Sequence, residues 1–179
     1  GGAEYTHATD NAPLNGGKIT AFEGGLRVPF FLKWQGVLPA GTAYPHPVSA
    51  LDIFTTVCAA THTALPEGRI YDGVNLLPYL LGHDPGKPHE ALYWKGGSAW
   101  TILKNDWKFF YNAETGQSRL YKLADDPYEK ANLAGKFPEK ARALQADLDK
   151  WCAAMPKPLW PALVSFKHED EEGVFYFDN

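Results

Sequence analysis

The sequence predicts a mixed α/β chain in two parts. Residues 1–84 hold a buried strand and a helix; residues 85–179 hold a four-stranded antiparallel sheet covered by a helix at about 138–154. Three observations predict this. Charge divides unevenly, with 4 basic and 7 acidic residues in 1–84 against 13 and 14 in 85–179. The first part therefore reads as a segment buried inside something larger, the second as a small domain with its own surface. Apolar residues run almost continuously through Leu26–Trp34 but alternate with period two between Ala91 and Leu123, the contrast between a strand covered on both faces and strands of a layered antiparallel sheet. Finally, Leu81–Pro88 (LGHDPGKP) carries Gly or Pro at four of its eight positions, which marks a linker.

In the first part, Leu26–Trp34 (LRVPFFLKW) is the strand candidate, with Pro29 as an edge or bulge signal. A helix follows at about 50–61. Ser49 and Asp52 have capping-box spacing, and Leu51, Phe54, Thr55 and Cys58 form its expected inward stripe. In the second part, Ala91–Trp94, Ser98–Lys104, Trp107–Asn112 and Arg119–Leu123 are strands joined by short polar links, so an antiparallel meander is expected. Trp107, Phe109 and Tyr111 share one face of their strand, Lys108, Phe110 and Asn112 the other. Pro138 and Glu139 suit the first turn of a helix whose stripe is Ala141, Leu144, Leu148, Trp151 and Cys152. Pro156, Pro158 and Pro161 end it. An acidic patch at 169–172 and a last strand at Val174–Phe177 complete the chain.

The 179 residues carry a net charge of −4, 45% hydrophobic and 14% aromatic residues. A chain of that kind buries a core, which excludes a disordered tail. No apolar run approaches the roughly 18 residues of a membrane helix, and interspersed charge excludes a sequence-independent nucleic-acid binder. The chain opens on Gly1-Gly2-Ala3-Glu4 and its single methionine is Met155, so it reads as processed or truncated. Cys58 and Cys152 are too few for a disulfide framework and read as buried thiols, with a bridge between them left open.

The densest chemical signal is Asn11–Lys18 (NAPLNGGK) followed by Glu23–Pro29 (EGGLRVP). Two glycine pairs around a lysine permit close backbone approach and positive φ, which sets Lys18 on a tight turn where an anion could be gripped. A solvated surface lysine is the simpler explanation for an isolated GGK. A P-loop is excluded, since Ala12 occupies its first-glycine position and Ile19 stands where Ser or Thr must bind magnesium. The six histidines (7, 46, 62, 83, 89 and 168) have no metal-ligand spacing, and Asp10-Asn11 and Asp125-Asp126 read as turn formers. Trp and Tyr content leaves sugar stacking open, although strand-paired aromatics more often form core. No residue has the surroundings of a catalytic nucleophile, and no metal site is expected.

Taken together and in order, the motifs resemble the C-terminal half of the formylglycine-dependent (type I) sulfatases, which belong to the alkaline-phosphatase-like superfamily. The matching pieces are Asn11–Lys18, Glu23–Pro29, Trp34–Gly41 (WQGVLPAG), Ser49–Thr56 (SALDIFTT), Tyr71–Leu80 (YDGVNLLPYL), Asp106–Lys108 and Leu120–Ala134 (LYKLADDPYEKANLA). The likeness runs from residue 1 to about 154. Gln35 and Thr55 depart from it at prolines. The activating signature C/S-x-P-x-R is absent around both Cys58 and Cys152, and Asp10-Asn11 is at the wrong distance from Lys18 to replace the family's Asp-Asn metal pair.

The resemblance implies that residues 1–84 close a large α/β domain of alkaline-phosphatase type and that 85–179 form its C-terminal subdomain. It also implies hydrolysis of a sulfate ester, of a small molecule or a carbohydrate, by a parent protein that uses formylglycine and calcium held upstream. Only Lys18 carries over as a substrate-binding residue; a charge contact at ~4 Å is worth about 4 kcal/mol at an effective dielectric near 20. Arg27 is expected to be structural, beside Glu23. The chain alone is then inactive and needs the upstream portion as its partner, in a periplasmic, secreted or lysosomal-type compartment. Two other readings stay open: a piece of a related phosphodiesterase or phosphonate hydrolase, or a carbohydrate-binding module with Trp94, Trp100 or Trp107 exposed.

Overall fold

Alternation with period two between Ala91 and Leu123 becomes a meander: β1 (Ala91–Gly96), β2 (Ala99–Lys104), β3 (Trp107–Asn112) and β4 (Ser118–Lys122) lie in the order β1-β2-β3-β4. The computed structural model describes Gly2 and residues 8–178. Pairs β2–β3 and β3–β4 are antiparallel, with Ile102 opposite Phe109 and Phe109 opposite Leu120. Asn105 and Asp106 link β2 to β3 with φ of 50° and 64°, the left-handed pair that a two-residue type I′ turn requires.

Both faces of β3 are covered. A helix over Pro138–Ala154, the predicted span, packs against β2 and β3 and buries Leu144, Leu148 and Cys152. Trp151 stacks on Tyr93, and Trp107 meets Phe137 edge-on. On the opposite face, Phe110, Ala99 and Tyr121 form a cluster with Ala21, Phe22, Phe175 and Phe177. The last two belong to a hairpin of Ser165–Asp170 and Gly173–Asp178. Numbered in chain order, the helices are α1 (Glu23–Leu26), α2 (Asp52–Ala60), α3 (Leu77–Leu80) and α4 (Pro138–Ala154), and the hairpin is β5 and β6. The strand expected at Val174–Phe177 is present. Its partner β5 was not expected, because only Phe166 and His168 of that strand turn inward.

Packing divides the chain into two compact units, Gly1–Pro29 with Tyr93–Asn179, and Phe30–Leu92. The second unit holds α2 and α3. Its fixed point is Asp52, fully buried, whose carboxylate accepts from the Ser49 and Val74 amides at 2.7 and 2.9 Å and lies 2.9 Å from His89 Nε2. The capping-box expectation for Ser49 and Asp52 thus holds for the acid half. The stripe expectation holds for Thr55 and Cys58 but not for Leu51 and Phe54. Asp52, Thr55, Thr56 and Cys58 are buried, whereas Leu51 and Phe54 are exposed, because the Asp52 carboxylate, not an apolar side chain, anchors the inner face.

The expected strand Leu26–Trp34 is likewise corrected. Leu26 closes α1 and residues 27–34 are irregular, with Phe31 91% exposed. A strand apolar on both faces needs ladder partners and cover on each side. No described strand pairs with this run.

Candidate functional site

Lys18 sits on a loop stapled by one asparagine. The Asn11 amide donates to the carbonyls of Gly2 and Gly16 at 3.1 and 3.4 Å, while its Oδ1 accepts from the Gly2 N–H at 3.2 Å. The Lys18 N–H donates to the same Gly2 carbonyl at 2.8 Å. A four-residue turn follows: the Thr20 N–H donates to Gly17 O at 3.0 Å, and Thr20 Oγ1 both donates to that carbonyl and accepts from the Gly17 N–H. Ile19 occupies the third position with φ +84°, where a type II turn normally places Gly. Such a conformation costs a β-branched residue on the order of 1–3 kcal/mol. Ile19 is half-buried against the Phe22–Phe110 cluster, which offsets that cost. Lys18, one position earlier, is exposed.

The glycines of Glu23–Leu26 let α1 nest under this turn. A Cβ on Gly24 would stand 1.9 Å from the Gly16 carbonyl oxygen, and one on Gly25 2.1 Å from that of Thr20. Only Gly fits either place. The Gly24 N–H donates to Asn15 O at 2.7 Å, closing the seam.

Glu23, the first residue of α1, is held from across the fold. Lys108 Nζ lies 2.9 Å from Glu23 Oε1 and 2.8 Å from Glu129 Oε1, and Glu129 Oε2 accepts from the Glu23 N–H at 2.6 Å. All three side chains are buried. Burial pushes the Glu129 carboxyl above the usual range, with Lys108 opposing it. The rest of the Asp126–Asn132 run is equally structural: Asp126 accepts from the Lys130 and Ala131 amides, and Asn132 from those of Leu120 and Ala134. Segments far apart in sequence, Lys18–Gly25, Lys108 and Asp126–Asn132, therefore meet as one support for the lysine turn.

No family model matches the sequence. Among curated proteins, the chain is 37% identical to rat steryl-sulfatase over 112 residues, covering 59% of this chain and 19% of that protein. It is 35% identical to human arylsulfatase G over 127 residues, 68% of this chain and 23% of that protein. Among solved structures, the crystal structure of Ps i-CgsB superposes with a TM-score of 0.76 at 29% identity, over 87% of this chain and 35% of that one. The chain belongs to the sulfatases. It matches the C-terminal part of their fold and spans between about a fifth and a third of the length of these relatives.

Within this sulfatase chain the other sequence candidates fall into structural roles. Arg27 is exposed, and Glu23 pairs with Lys108 rather than with it. Asp10 accepts from the Ala12 N–H at 2.8 Å in a turn, and Asp125 pairs with Lys122. Cys58 and Cys152 are free and buried. His89 serves Asp52, and His168 lies against the Phe22 and Phe177 rings; His7 falls outside the described residues. No three His, Cys, Asp or Glu side chains among the described residues gather in a way that could hold a metal, and the Asn11 side chain is spent on the Gly2 and Gly16 backbone. The described residues do not fit calcium. The Trp platform of a sugar-binding module is not formed either: Trp94, Trp100 and Trp107 are all partly covered. Trp100 also donates to Gly97 O at 2.8 Å and lies beneath the Lys95 ammonium.

Sequence reasoning missed Lys108 and Glu129 as supports of the loop. Their signal was present in the motifs Asp106–Lys108 and Leu120–Ala134, but a pairing across 85 residues leaves no trace in local periodicity.

Proposed function

We propose that this chain supplies the sulfate-gripping lysine, Lys18, and a wall of the substrate cleft to a sulfatase that hydrolyses sulfate esters. The observation that carries it is the turn at Gly17–Thr20: an exposed ammonium on a backbone pinned by Asn11, by the Gly24-Gly25 seam and by a buried ion cluster. Such rigidity has little use for a solvated lysine. It suits electrostatic stabilisation, where a charge must meet the sulfate oxygens without reorganising, and must hold the transition state better than the ester.

Formylglycine chemistry and calcium, general in this family, would belong to an upstream portion of the protein, since the sequence lacks the C/S-x-P-x-R signature and its described residues hold no carboxylate cluster that could take a metal. The same upstream portion is the partner that would cover the exposed run Val28, Phe30, Phe31 and Leu32. As before, residues 1–84 would close the large α/β domain, and 85–179 form the C-terminal subdomain. The substrate would be a sulfated small molecule or carbohydrate, and the setting a periplasmic, secreted or lysosomal-type compartment. No described helix is long and apolar enough to cross a membrane. A phosphodiesterase or a sugar-binding module is not favoured, since the curated relatives are sulfatases and the Trp platform is not formed.

Matched aryl sulfate and aryl phosphate esters test this. The complete protein is expected to turn over the sulfate in preference to the phosphate, and the 179-residue chain alone neither. Turnover of the sulfate by the isolated chain, or a preference for phosphate in the complete protein, overturns it.

A further inference from the structure

We infer that Ile19 is a positioning residue for the sulfate site, acting through Lys18; the inference rests on the reading of Lys18 as the sulfate-binding group. The turn Gly17–Thr20 is closed by the Thr20 N–H to Gly17 O bond and by the Thr20 hydroxyl. Its third residue has φ +84°, a place that Gly fills without strain and a β-branched residue does not. Yet Gly is not there. What Ile adds is a side chain packed against the cluster of Phe22, Phe110, Phe175 and Phe177. A glycine at 19 would reach the same φ but could also leave it, carrying the Lys18 Cα with it, because nothing would tie the outer edge of the turn to the core.

The fixed points agree with this. Before the turn, the Lys18 N–H is bonded to Gly2 O and the Asn11 side chain bridges Gly2 and Gly16. After it, Gly25 sits so close to the carbonyls of Gly17 and Thr20 that no Cβ is admitted. Between them, Ile19 is the only apolar side chain of the turn, and it faces the core while its neighbour Lys18 is exposed. The peptide between 18 and 19 is thus held from below, and the direction in which the ammonium leaves the surface is set by where the Ile19 side chain is buried. A tenfold loss of rate needs only a small misplacement of a group that must meet a developing charge.

A double-substitution cycle in the complete sulfatase tests it, with kcat/KM for an aryl sulfate and the urea midpoint as readouts. Ile19→Gly and Ile19→Asn both permit positive φ and both lack the apolar anchor, so one serves if the other fails to fold. Each is expected to lower kcat/KM about tenfold in the native background and to have no further effect in the Lys18→Ala background. Ile19→Val, which keeps the anchor, retains native turnover. Full turnover by Ile19→Gly and Ile19→Asn, or the same tenfold loss in the Lys18→Ala background, overturns the positioning role while leaving Lys18 in place. Native turnover by Lys18→Ala alone overturns the reading beneath it, and the inference with it.

Discussion

The ammonium of Lys108 lies 2.8 Å from Oε1 of Glu129, with both side chains buried on the face of the sheet away from α4. Glu23 completes the cluster at 2.9 Å, so one cation holds two carboxylates, and the first residue of α1 is fixed from β3. Removing the cation leaves buried negative charges facing each other. Lys108→Met is expected to destabilise the fold by about 3–5 kcal/mol, read as a fall in urea midpoint. Glu129→Gln keeps an acceptor for the Glu23 N–H and should cost less. Equal costs would show that the charge of Glu129 matters as much as that of Lys108.

Gly24 is a second place where one atom decides. An added Cβ meets the Gly16 carbonyl oxygen at 1.9 Å and that of Asn15 at 2.6 Å, and neither can step aside without moving the lysine turn. Gly24→Ala is predicted to cost at least about 3 kcal/mol, the upper end of overpacking. Gly36→Ala is the control: its φ is +78° but nothing lies within 4 Å, so about 1 kcal/mol is expected. Similar midpoints for the two variants would contradict the close-approach argument.

Acid sensitivity should centre on β4 and β5. The Arg119 guanidinium donates to both Asp170 oxygens at 2.8 and 2.5 Å and holds that carboxyl at about 2, below its ordinary 3.8. The unfolded chain therefore binds the proton more readily than the folded one. Stability from this pair is present above pH 3.8 and is lost as pH falls towards 2. Because Asp170 is partly exposed, screening reduces its worth to about 1 kcal/mol. Asp170→Asn should flatten the urea midpoint between pH 4 and 2, and an unchanged slope there would rule out this pair as the cause.

Helix α4 carries the other layer. Leu148 is fully buried beneath it, and Leu148→Ala is expected to cost about 2–5 kcal/mol. Ala146, exposed on the same helix, should tolerate Ala146→Ser with a change below about 0.5 kcal/mol. Thermal unfolding of the two variants checks the assignment of faces; a larger loss for Ala146→Ser would reverse it.

What could be read from the sequence follows from how local each signal is. Helix α4 appears over its predicted residues because Pro138 and the Leu144–Leu148–Cys152 stripe are local, and Asn105-Asp106 announces its own hairpin. Leu26–Trp34 misled because a continuous apolar run reports burial, not the partner that buries it, and no described strand pairs with it. At the candidate site, the glycines around Lys18 announced a tight turn, and Lys18 stands on one; its proposed role came from the family resemblance and not from the glycines. Glu23 was paired with Arg27 by proximity in sequence, whereas the fold gives it Lys108. The φ of Ile19 could not be foreseen, since nothing in an isoleucine favours it.

The central claim is that Lys18 meets the sulfate group, and kcat/KM of the complete sulfatase for an aryl sulfate tests it most directly. Lys18→Ala should lower it roughly 10²- to 10³-fold while leaving the urea midpoint where it was, since the side chain is exposed. An unchanged kcat/KM in a folded Lys18→Ala protein would contradict the account.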